Sequence, residues 1–84
     1  MATVFVTTEA SGQIASLPRP IRTRMLSLLN RLKHWPEVSG AKPLRGDLSG
    51  HYRLRTGDYR LQFRIEKGDV VIEQAGHRDG FYEE

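Results

Sequence analysis

The 84-residue chain contains no cysteine. That excludes a disulfide framework and any cysteine-based metal site, and it fits a cytoplasmic setting. No stretch approaches the ~20 apolar residues needed for a membrane span. The opening run Met1-Ala2-Thr3-Val4-Phe5-Val6 lacks the basic segment of a secretory signal, and its apolar part is too short. The histidines His34, His51 and His77 are far apart and lack metal-ligand spacing. There is no glycine-rich phosphate loop and no Ser/His/Asp arrangement, so no metal or cofactor is expected. Acidic residues are also scarce in one region. Between Lys42 and Arg64, only Asp47 and Asp58 stand against Lys42, Arg45, Arg53, Arg55, Arg60 and Arg64. Six cations against two anions give this segment +4, more than the +3 of the whole chain. Such a patch suits nucleic acid or an acidic protein, and its plain alternative is a solvated face.

The length fits a single domain, residues 1–84. Residues 2–6 are β-prone and read as a first strand. Thr7 or Thr8 can cap a helix that buries Ala10, Ile14 and Leu17. Pro18 and Pro20 then break the chain, and Pro20 suits the first turn of a second helix. Ile21, Met25, Leu28, Leu29 and Leu32 follow the spacing of one helix face, and Pro36 ends the pattern. The two helices form an antiparallel hairpin. Residues 37–50 read as an irregular connection. Three strands follow near 51–56, 59–66 and 70–77. The expected architecture is α+β: an N-terminal strand, a helical hairpin and a three-stranded antiparallel meander, with the helices on one sheet face and a basic, open face on the other.

Side-chain alternation shows what the open face carries. Tyr52, Leu54, Tyr59, Leu61, Phe63 and Ile65 take one side; Arg53, Arg55, Arg60 and Arg64 take the other. A two-residue turn at Gly57-Asp58, of type II′, sets Thr56 opposite Tyr59, Arg55 opposite Arg60, Leu54 opposite Leu61 and Arg53 opposite Gln62. Directly opposed like charges destabilise a strand pair, and arginine cannot relieve the repulsion by titration. A phosphate chain would relieve it, since guanidinium matches phosphate bidentately. The second turn is Lys67-Gly68 or Gly68-Asp69. Either choice places Val70, Ile72 and Gln74 on the apolar face, and Val71, Glu73, Ala75 and His77 on the arginine face. Glu73 then lies across from Gln62 or Arg64. His77 emerges on the basic face as a candidate acid–base group. Phe81 and Tyr82 can stack a base or pack back on the core.

With these pieces assembled, the chain resembles the RelE/ParE toxin superfamily of toxin–antitoxin systems. The resemblance rests on the block from Lys42 through Arg55, on Gly57-Asp58-Tyr59-Arg60, on Gly76-His77-Arg78 and on Tyr82. Its RelE branch implies a ribosome-dependent endoribonuclease that cuts mRNA by attack of a ribose 2′-hydroxyl on the adjacent phosphate. Arg53 and Arg55 fall where RelE has two lysines, and with Lys42, Arg45 and Arg64 they would hold the RNA backbone. Arg60 matches a phosphate-stabilising arginine, Arg78 a second arginine near the leaving group, and Tyr82 the stacking tyrosine. Arginine is a good anion binder and a poor base. His77 is therefore the candidate proton carrier. The resemblance also implies a cognate antitoxin in a hetero-oligomer, with the ribosome and mRNA as targets and no membrane partner. The superfamily leaves two alternatives: a ParE-like DNA gyrase inhibitor without catalytic activity, or an inactive RNA-binding relative.

Overall fold

Alternating apolar residues and tight turns build a five-stranded sheet. A computed structural model describes residues 1–80. Phe81 and Tyr82, the expected stacking residues, lie outside the described residues. The order is β1 (Val4–Val6), α1 (Thr8–Ala15), α2 (Arg19–Leu32), β2 (Lys42–Pro43), β3 (His51–Thr56), β4 (Tyr59–Glu66) and β5 (Asp69–His77). Two 3-10 turns lie at Gly46–Leu48 and Arg78–Gly80. Across the sheet the strands run β1-β5-β4-β3-β2. β1 is parallel to β5 and every other pairing is antiparallel. Among the described residues, no helix is long and apolar enough to cross a membrane.

Local chemistry explains the element ends. The Thr7 hydroxyl accepts the Ala10 N–H at 3.1 Å and caps α1. Pro20 sits in the first turn of α2. The connection expected to be irregular instead contains the two-residue strand β2. Pro43 is tolerated there because β2 lies at the sheet edge, where a missing N–H leaves no ladder bond unmade. The first hairpin has the expected register, Arg55 opposite Arg60 included. Gly57 at its turn has φ 61°, as the first position of a type II′ turn requires. The second turn is Lys67-Gly68. Both residues have positive φ, and Glu66 pairs with Asp69.

One feature of β5 overturns part of the expected facing. Gln62 pairs with Gln74, yet Phe63 pairs with Ile72, so Glu73 is an extra, bulged residue. Beyond the bulge every side chain changes face. Ala75 lies opposite Leu61 and is buried in the core, while Gln74 lies opposite Gln62. His77 lies opposite Tyr59 on the apolar side, with the two rings edge to face at 5.2 Å. The placement of Ala75 and His77 on the arginine face, and of Gln74 off it, is therefore corrected. A helix side chain ties down the shifted backbone: Gln13 Oε1 accepts the Ala75 N–H at 2.8 Å.

The core lies between the helices and the apolar sheet face. Ala10, Ile14, Met25, Leu28 and Leu32 meet Leu54, Leu61, Phe63, Val70, Ile72 and Ala75. At one side Trp35 meets Tyr52 and Phe63 edge to face, with ring centres 4.8 and 5.4 Å away.

Candidate functional site

The sheet face away from the helices is arranged in rows. Arg55 of β3 faces Arg60 of β4, which faces Gly76 of β5. The next row holds Lys42, Arg53, Gln62 and Gln74. In the third, His51 faces Arg64 and Arg64 faces Val71. Successive rows are two residues apart, about 7 Å along the strands. The pleat thus collects cations from three separate segments.

The face is not uniformly open. Arg60, on the middle strand, is only 2 % exposed. It is held within the fold, which corrects the expectation of a solvent-facing guanidinium. Arg55, Lys42 and Arg45 are exposed, and Arg53 and Arg64 are half-buried. Among the described residues, Lys42, Arg45 and Arg55 form no ion pair. Around the β2 edge lie two clefts. One of about 330 Å³ is lined by Arg31, Lys42, Arg53 and Arg55 together with Ser39, Gly40 and Leu54. The other, about 310 Å³, is lined by Lys42, Pro43, Arg45 and Arg53. Arg31 had no role in the sequence reading. It reaches the first cleft from α2 because its guanidinium donates to the Ser39 carbonyl at 2.7 Å.

The third row is electrostatically different. Glu73, the extra residue of the bulge, lies on this face and gathers three donors. His51 Nδ1 lies 2.6 Å from Glu73 Oε1, and Gln62 donates to the same oxygen at 3.2 Å. Arg64 donates to Glu73 Oε2 at 3.1 Å and to Glu66 at 3.0 Å. Burial works to raise the Glu73 pKa. The hydrogen bonds from His51, Gln62 and Arg64 outweigh it and hold the carboxyl below its ordinary value. On acidification the unfolded chain therefore takes up its proton first. The stability that this cluster contributes is complete above the ordinary glutamate value of 4.5 and is lost as pH falls through the lower folded value. Glu73→Gln is expected to flatten that acid limb of the stability–pH curve. Denaturant titrations at a series of acidic pH values check this, and parallel curves for the two proteins would count against it.

The C-terminal candidates sit at the hairpin-turn end. The Arg78 N–H donates to the Asp58 carbonyl at 2.8 Å, which fixes Arg78 near the Arg55–Arg60 row. Its side chain is exposed. His77 Nδ1 accepts the Asp79 N–H at 3.2 Å on the opposite side of the sheet from Arg60. The structure thus brings Arg53, Arg55, Arg60 and Lys42 together, sets Arg45 and Arg78 at the margins and pairs Arg64 with glutamates. It separates His77 from the group.

No protein-family model matches the chain. It is similar to toxin RelG of Mycobacterium tuberculosis, with 37 % identity over 83 residues that cover 95 % of this chain and 94 % of the relative. It is also similar to toxin RelE of the same organism, with 34 % identity over 71 residues, 83 % of this chain and 72 % of the relative. Among solved structures it is similar to the toxin–antitoxin complex RelBE2 from that species. The TM-score is 0.80 at 35 % identity, covering 92 % of this chain and 98 % of the matched one.

Proposed function

The chain belongs to the RelE-like toxin superfamily, and from that premise we propose that this type II toxin cleaves mRNA on the ribosome. The observation that carries the reading is the clustering of Lys42, Arg53, Arg55 and Arg60 in two adjacent rows of one sheet face. Such a pattern holds a phosphate chain without reading bases, since backbone contacts set position and affinity.

The reaction is attack of a ribose 2′-oxygen on the neighbouring phosphorus, followed by departure of the 5′-oxygen. Negative charge builds on the phosphoryl oxygens, and fixed cations stabilise it most where water is excluded. Lys42, Arg45, Arg53 and Arg55 bind the backbone. Arg64, already bridged to Glu73 and Glu66, adds least. Arg60 acts as a buried positive charge beneath the reacting phosphate, where low dielectric strengthens its field. Arg78, exposed beside that row, stabilises the leaving oxygen, and Tyr82 stacks a base. His77 lost its geometric support as proton carrier when the bulge moved it to the other face.

RelBE2 was solved as a complex of toxin and antitoxin. A cognate antitoxin that forms a hetero-oligomer with this chain is the corresponding partner, in a cytoplasmic setting. The test is expression of the chain alone, with translation, replication and message integrity followed together. Rapid arrest of protein synthesis with cuts inside translated messages supports the reading. Intact messages with arrested replication would sink it in favour of gyrase inhibition.

A further inference from the structure

We infer that His51, oriented by Glu73, is the group that removes the 2′-hydroxyl proton in this reaction. The inference rests on the nuclease reading above and supplies what the arginines cannot. Arginine keeps its proton in proteins, so Arg53, Arg55, Arg60 and Arg64 cannot act as bases.

The geometry is that of a carboxylate-held imidazole. Glu73 is ionised at neutral pH and can only accept, so His51 Nδ1, 2.6 Å away, carries the hydrogen. In the neutral ring Nε2 is then the basic nitrogen. A carboxylate at Nδ1 fixes the ring and stabilises the imidazolium that forms on proton uptake. The side chain is 24 % exposed, enough for substrate to approach. His51 lies on the same face as Arg53, two residues and about 7 Å along the strand. A ribose whose phosphate is held by Lys42 and Arg53 lies within reach of its ring. The groups around it are Glu73 from β5, Arg64 and Gln62 from β4, Arg53 on its own strand and Lys42 across from Arg53.

The bulge sets Glu73 apart from the regular ladder. In a regular ladder Glu73 would be an ordinary paired residue. As the extra residue of β5 it meets His51, Gln62 and Arg64 at once. Bulges concentrate near active sites because they re-aim a side chain. In the reaction, Nε2 takes the 2′-hydroxyl proton as that oxygen bonds to phosphorus. The bond from phosphorus to the 5′-oxygen breaks, and the 5′-oxygen takes a proton from water. The imidazolium returns its proton to solvent. The products are a 2′,3′-cyclic phosphate and a 5′-hydroxyl end.

Single-turnover cleavage of ribosome-bound mRNA tests this with wild type, His51→Gln, Glu73→Gln and the double variant. His51→Gln is expected to lose about 100-fold or more in rate, the scale of general-base catalysis. The double variant is expected to be no slower than His51→Gln, because Glu73 acts through the ring. In His51→Gly, added imidazole is expected to restore part of the rate, which a merely structural role would not produce. A His51→Gln rate within about threefold of wild type overturns the proposal and leaves the nuclease reading standing. A wild type that leaves ribosome-bound mRNA intact overturns both. Should His51→Gln fail to fold, the wild-type profile decides. A rate that rises with pH across about 5 to 8 supports the proposal, and a flat one overturns it.

Discussion

Arg55→Glu is expected to cut RNA cleavage by about 100-fold or more, the scale of losing one charge-stabilising group in a prearranged site. The same change is expected to raise stability. Arg55 is exposed and stands directly opposite Arg60, so the substitution converts a like-charged cross-strand pair into an opposite-charged one. Cross-strand pairs of this kind differ by about 0.2–1 kcal/mol. The two effects have opposite signs, which separates this variant from a simple folding defect. Urea unfolding reads the stability, and single-turnover cleavage reads the activity. A variant that is both less stable and less active would mean that Arg55 supports the fold, and the assignment of Arg55 to RNA would fall. A parallel binding series in salt is informative too. Loss of one phosphate contact to single-stranded RNA lowers the salt slope by about 0.7.

Phe63→Ala is the substitution expected to cost most in stability, about 3–5 kcal/mol. Phe63 is fully buried in the middle strand, and its ring meets both Trp35 and Tyr52. Truncation opens a cavity between α2 and the sheet that neither element can close, because both are fixed by further contacts. A domain of this size has total stability of about 4–13 kcal/mol, so the variant is expected to be largely unfolded under mild denaturation. Phe63→Leu, which refills most of the volume, is expected to recover more than half of the loss. Calorimetry on both variants checks the pair. A small loss in Phe63→Ala would show that the aromatic group around Trp35 repacks.

The chain announces its fold where one residue's neighbours are set by local rules. Gly57-Asp58 determines a turn, the turn determines the register, and the register places Arg55 against Arg60. Those steps need only sequence distance and strand period. The bulge at Glu73 needs more, because regular alternation and a one-residue insertion differ only in which face each residue prefers. A signal was present. Regular pairing puts polar Gln74 on the apolar face and Ala75 on the charged face, and an insertion before them repairs both. His51 gave no comparable signal, since its partner lies 22 positions away on a strand it does not pair with. Arg31 enters the basic cleft only through the loop folded across the end of α2. The burial of Arg60 likewise could not be read from its own strand.

The parallel pairing of β1 with β5 has a consequence for how the chain assembles during synthesis. β1 is made first, but its partner β5 comes near the end. The bonds from Thr7 N–H to Ile72 and from Val70 N–H to Thr3 span almost the whole length. α1 also rests its Gln13 on Ala75 of that last strand. Contacts this distant in sequence form slowly, because most of the chain must be ordered before they repay the loss of freedom. A nascent chain that stops before Asp69 leaves β1 without a pairing strand, α1 without its anchor and His51 without Glu73. The basic face therefore gains Glu73 and its partners only once residues 69–77 have entered the sheet.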